Sequence, residues 1–320
     1  MSEPFIALST LRHECRACGH CCHGHRVRLE DQDEVMKVVA QAAALGIADP
    51  VVEGALRVEN GGCVFLDERQ LCRIHSAFGG REKPRVCQQY PLRVGRAEDG
   101  LRVGIDPGCT NNWRSWRTGP VVGADPLLAP HDIRREPGGP EEQLLALASV
   151  PGLNVAGLLA HLVGAPGASR RRLLELPEGF AGRLAARLKA MTLPRFLSFA
   201  DVGGGIRESI GHLPAMIAAL DPQSPPRWAG VLEPESDAFA LEVVRRHLFL
   251  RLGDDPLPEI GQVLVLVSGA IACGWADARP EVFGPALSSW AKAMRHRAFW
   301  AALVPRPETL SWLATGAARA

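Results

Sequence analysis

Within "ECRACGHCCHGHRVRLED" (residues 14–31), four cysteines fall in eight positions: Cys15, Cys18, Cys21 and Cys22. Four more follow, Cys63, Cys72, Cys87 and Cys109, and only Cys273 lies beyond them. This crowding constrains the fold more than any other feature, because so many thiols in one short loop need something to hold. The N-terminus "MSEPFIALSTLRHEC" has no basic start followed by a long apolar core. The expected location is therefore cytoplasmic, where structural disulfides do not persist. Eight thiols in the first third of such a chain point to metal ligation.

A C-x2-C step turns tightly enough to aim two thiolates at one centre. Cys15, Cys18 and Cys21 stand at successive steps of this kind. They can serve three corners of an iron–sulfur cubane, with a fourth ligand from elsewhere. The same spacing can build half of a tetrahedral zinc site. Cys22 is expected to point away from Cys21, into a second centre or into none. Cys63, Cys72, Cys87 and Cys109 must be folded back, and the total suffices for two four-thiolate sites or for one with spare thiols. His13, His20, His23 and His25 are expected to be solvated loop residues, since thiolates already fill the ligand count. Arg12, Arg16, Arg26, Arg28, Arg73, Arg81 and Arg85 flank the thiols and are expected to offset their charge.

The rest of the chain reads as mainly α. Residues 1–118 form a cysteine-rich region with little regular structure, stapled by metal. Residues 119–140 are a Pro/Gly-rich linker, and 141–320 a helical domain. In the first region, "EDQDEVMKVVAQAAALG" (30–46) predicts a helix ending at Gly46, and "LRVGI" (101–105) a short strand. In the second, "PEEQLLALASV", "VAGLLAHLVG", "RRRLLELPEGFAGRLAARLKAM", "IGHLPAMIAAL", "DAFALEVVRRHLFLRLG" and "PALSSWAKAMRHRAFWAALV" carry apolar stripes at helical spacing. The run "VLVLVSGAIACGW" (263–275) is too short for a bilayer and reads as a buried helix, with Cys273 acting as a small hydrophobe. A formal net charge of +1 argues against a nucleic-acid or membrane-surface partner.

The cysteine block "CRACGHCC" resembles the signature of the CxxCxxCC cysteine-cluster family (YkgJ-type), a zinc- or iron-chelating domain. "CVFLDERQLCRIH" and "KPRVCQQYP" extend that resemblance. The fourteen residues "RIHSAFGGREKPRV" between Cys72 and Cys87, then "YPLR" and Cys109, are similar to the flagellin lysine N-methylase branch. So are "LEVVRRHLFLRLG" and "SSWAKAMRHRAFWAAL" near the far end. The branch implies a bacterial-type 4Fe–4S cluster, S-adenosylmethionine as methyl donor, and a flagellin-like protein substrate whose lysines are methylated. A non-catalytic zinc- or iron-binding module is the alternative, and a redox sensor a weaker third.

Methylation needs a base or a desolvating pocket to free the lysine amine. Tyr90, three residues after Cys87, is the catalytic candidate, with packing beside Pro91 as its bland role. His296 is a second candidate, and Trp113 and Trp116 are expected to shield the metal site. "FADVGGGIRES" (199–209) looks like a nucleotide loop. Arg207 replaces its third glycine, however, and no further βα units follow, so it is read as a turn between helices.

Overall fold

The computed structural model describes residues 4–23, 27–123, 130–133, 139–162, 179–191, 213–224, 232–252 and 259–294, with short pieces at 299, 303–304, 309 and 312–313. Among these the chain divides into two compact units, one up to Asp132 and one from Ile133 onward. The glycine-rich stretch with Arg207, and also His25, Arg26 and His296, lie outside the described residues.

The first unit begins with β1 (Phe5–Ile6) and the long excursion that carries the cysteine block. Helix α1 (Gln32–Ala44) follows. Asp31 caps it, its Oδ1 accepting from Glu34 N at 2.8 Å, while Glu34 Oε2 accepts from Glu30 N at 2.8 Å. The first bond satisfies a donor that a helix start leaves open, and the second fixes the residue before the cap. Val38 and Ala42 form the buried stripe of α1 and pack with Leu56, Phe65 and Ile74. Two small hairpins come next: β2 (Val51–Val52) with β3 (Ala55–Leu56), then β4 (Val58–Glu59) with β5 (Gly62–Cys63). Short helices α2 (Arg73–Phe78) and α3 (Arg85–Gln89) lead to β6 (Leu92–Ala97) and β7 (Gly100–Ile105). Helix α4 (Asn112–Ser115) and β8 (His131–Asp132) complete the unit.

The mainly α reading holds for most described elements, but the cysteine-rich region carries more strand structure than expected. The first unit holds a mixed four-stranded sheet in the order β1-β7-β6-β8. β6 and β7 pair antiparallel from Leu92↔Ile105 to Ala97↔Gly100, and β1 and β8 add parallel edges. The strand at 101–105 was legible, but its partner was not. In "LRVGRA" glycine and two arginines interrupt the apolar alternation on which a strand reading rests. β1 and β8 are two residues long, too short to show any period. Leu11, Val94, Leu101 and Val103 make a small core against this sheet, and each such burial stabilises by ~1.5–3 kcal/mol.

The second unit is helical among its described residues: α5 (Pro140–Ala148), α6 (Val155–Leu162), α7 (Phe180–Met191), α8 (Leu213–Ala219), α9 (Pro234–Leu250), α10 (Glu259–Ala276) and α11 (Pro280–Ala293). Helices α9, α10 and α11 pack on one another. Trp290 of α11 is fully buried and donates its indole N–H to Val265 O of α10 at 3.0 Å. Its ring lies so close to Gly269 that a Cβ there would stand 2.3 Å from Nε1. Asp237 of α9 accepts from Val155 N at 2.9 Å and so caps α6. Cys273 is buried in α10. No helix among the described residues is long and apolar enough to cross a membrane.

Candidate metal centre

All nine cysteines are free thiols. Each of the eight expected ligands sits on a recognisable piece of the first unit. Cys15 and Cys18 are exposed in the irregular stretch before the 3-10 turn His20–Cys22, which carries Cys21 and Cys22. Cys63 ends β5, Cys72 precedes the first turn of α2, and Cys87 lies in α3. Cys109 sits in the turn after β7, its N–H donating to Asp106 O at 3.1 Å. Tyr90 closes the C-terminal end of α3.

Cys21 and Cys22 do not point apart as expected. Their Sγ atoms are 3.8 Å apart. The tight 3-10 turn, held by Cys22 N donating to Gly19 O at 2.8 Å, brings the two side chains onto one side. That separation matches two sulfurs on one edge of a tetrahedral thiolate site, where metal–sulfur bonds of ~2.3 Å give an edge of about 3.8 Å.

Cys63, Cys87 and Cys109 lie within electrostatic reach of this pair. Sharing a hydrogen bond with Cys21 raises the Cys22 thiol far above its ordinary value, and burial and the charges of Cys21, Cys63 and Cys87 add to it. Burial pushes Cys63 up to about 11, with Cys72 and Cys21 contributing. Cys87 is raised by burial and then by Cys63, Cys21 and Cys72, with Lys83 opposing. Cys109 is pushed up to about 12 by burial, with Asp106, Cys18 and Cys21 adding to the rise. Cys18 goes the other way, because a hydrogen bond from His20 holds it down. Thiols that resist becoming anions beside one another are the donor set a cation would relieve. Among the described residues, no three His, Cys, Asp or Glu side chains are drawn together as a group able to hold a metal ion. The thiols are gathered without being focused on a point.

The framework that gathers them is polar. On one side Arg85, two residues before Cys87, is clamped to α1. Its N–H donates to Glu34 Oε1 at 2.7 Å, and its guanidinium meets Glu30 at 2.8 Å and also Asp31. On the other side the front block is tied to the α4 segment. His20 Nδ1 lies 2.7 Å from Thr110 Oγ1, and Asn111 Nδ2 donates to Glu14 O at 2.5 Å. The loop from Cys63 to Cys72 is a tight turn built on Asp67, whose Oδ1 accepts from Arg69 N and Leu71 N.

One expectation about the neighbours is overturned. His13 and His23 are not solvated but buried. His13 Nδ1 lies 3.4 Å from Ser115 Oγ, and His23 contacts Gly61 and Gln70. Among the arginines expected to offset the thiolates, Arg12 donates to Gly119 O, Arg73 donates to Leu45 O, and Arg16 pairs with Glu14. Lys83 opposes the rise at Cys87, and only its place four residues before that cysteine hinted at it. Trp113 is buried and Trp116 stacks under Arg117, 4.2 Å from the ring centre.

The first unit is thus a cysteine-cluster unit, its thiols drawn from segments far apart in sequence. Residues 14–109 match the family model CxxCxxCC, described as "Putative zinc- or iron-chelating domain". The match supports a metal cofactor for this region, and it covers every cysteine of the cluster. No curated protein and no solved structure matches the chain.

Proposed function

We propose that the first unit is a zinc- or iron-binding cysteine-cluster module. The observation that carries this reading is the Cys21–Cys22 pair at 3.8 Å, with Cys63, Cys87 and Cys109 within its electrostatic reach. Cys21 and Cys22 would hold one ion jointly, and the returning thiols would complete its shell. A bound cation supplies charge to offset the thiolates and a cross-link between segments that share little regular structure. Because burial and neighbouring thiols raise Cys22, Cys63, Cys87 and Cys109, these groups carry protons near neutral pH. Ion uptake therefore displaces protons, and affinity falls as pH falls.

The test is anaerobic purification followed by metal analysis and a visible spectrum. Stoichiometric zinc or iron in the native protein, lost in the double variant Cys21→Ser, Cys22→Ser, is the expected result. A native protein that takes up neither metal overturns the reading. A brown preparation with broad visible absorption would assign the cluster to iron and sulfur, and a colourless zinc protein would not.

Lysine methylation with S-adenosylmethionine rests on the resemblance alone. The matched family model ends at Cys109 and describes chelation. Tyr90 is half-buried beside Pro91 at the end of the helix that carries Cys87, which fits packing as well as catalysis. Calorimetry of the metal-loaded protein with S-adenosylmethionine tests this branch. Absence of binding leaves the chelating module as the full account.

A further inference from the structure

His23 follows the cysteine block directly and would pass for a spare metal ligand. Its surroundings say otherwise. The ring is 8% exposed, and both nitrogens face oxygen atoms of the middle segment: Nε2 lies 2.5 Å from Gln70 Oε1 and Nδ1 3.3 Å from Gly61 O. The backbone of His23 forms an antiparallel bridge with Gly62, the residue before Cys63. The two segments are pressed together so closely that side chains are excluded. A Cβ on Gly62 would stand 2.9 Å from His23 Cε1, and one on Gly19 would stand 2.6 Å from Gln70 O.

Gln70 is held for this contact at some cost. It adopts φ 64°, a left-handed conformation that a residue with a side chain rarely takes. Such a conformation costs on the order of 1–3 kcal/mol and persists where its surroundings enforce it. Here the Asp67 turn does so, with Gln70 N donating to Asp67 O at 3.0 Å. The turn therefore presents Gln70 to His23 from the loop that separates Cys63 from Cys72.

We propose that His23 and Gln70 form a latch that aligns the Cys21–Cys22 pair with Cys63 and Cys72, and that His23 is a positioning residue and not a ligand. This inference rests on the chelation reading above. Outer contacts of this kind commonly change metal affinity by about 10–100-fold when removed, because the ligands they orient must then be ordered by the ion itself.

The experiment compares the full-length native protein with His23→Ala, Gln70→Ala and the double variant. Zinc affinity is measured by chelator competition, and coordination by the X-ray absorption of bound zinc and the spectrum of the cobalt(II) form. Gln70 is exposed, so its replacement tests the latch even where His23→Ala folds poorly. The expected result is a dissociation constant about 10–100-fold higher in each single variant. The double variant should be no worse than the weaker single one, since both remove the same contact. The sulfur-only coordination signature should be unchanged throughout. A nitrogen ligand in the native protein that disappears in His23→Ala overturns the proposal, and so do native affinities in both single variants. A native protein that binds neither zinc nor iron refutes the chelation reading itself, and the latch with it.

Discussion

Cys22 and Cys273 show how the same side chain serves two purposes. Cys22 is packed against Cys21, and that contact, burial and the neighbouring Cys63 and Cys87 raise its thiol. Cys273 is raised by burial alone, in the apolar interior of α10. Replacing each by serine should therefore separate metal from stability. Cys22→Ser is expected to lower bound metal sharply, read by elemental analysis after anaerobic purification. Cys273→Ser is expected to leave metal content unchanged and to cost about 1–3 kcal/mol in denaturant unfolding, the penalty of a hydroxyl in an apolar site. The identity of the cysteines was plain in the sequence. Which of them stand side by side was not. The sequence reads Cys21 and Cys22 as diverging, and the 3-10 turn after Gly19 brings their sulfurs together.

Helices α6 and α9 are joined by one carboxylate. Asp237 caps α6 through Val155 N, and burial raises its carboxyl above the ordinary value. The neutral form is thus favoured in the fold. Its contribution is absent below the unfolded value, grows unfavourable as pH rises between the unfolded and folded values, and is complete above both. Asp237→Asn keeps an oxygen acceptor and should flatten this part of the pH–stability curve of the helical unit. Asp237→Ala should cost about 1 kcal/mol through loss of the cap. Thermal unfolding followed by helix signal across the acid range distinguishes the two. The contact of α10 with α11 has a steric test. Gly269→Ala places a methyl group where the Trp290 indole lies, and should destabilise by about 1–3 kcal/mol in denaturant titration. Apolar periodicity made these helices legible. It could not reveal Asp237 as a cap or Gly269 as a seat for Trp290, because both contacts join residues more than twenty positions apart.

Taken as a whole, the molecule pairs a unit with little apolar core and many thiols with a unit of packed helices. The apolar clusters around Val38 and Val103 are small, and on the chelation reading a bound ion would add cross-links between the segments of the first unit. Chelation by a strong competitor at neutral pH is expected to speed hydrogen exchange across residues 14–109, while the amides of α9, α10 and α11 keep their protection. Uniform loss of protection in both units would show that they unfold as one. The sequence by itself determined the donor chemistry and most of the helices. Both are local properties, carried by residue type and by spacing within a few turns. The tertiary structure alone decided the sheet, the side-by-side pair at Cys21 and Cys22, the burial of His13 and His23, and the influence of Lys83 on Cys87. The burial of His13 and His23 and the pairing of the edge strands β1 and β8 depend on loops that bring together residues about forty to a hundred positions apart. The energy that closes such loops comes from hydrogen bonds and packing distributed over several segments, and it leaves no period in the chain.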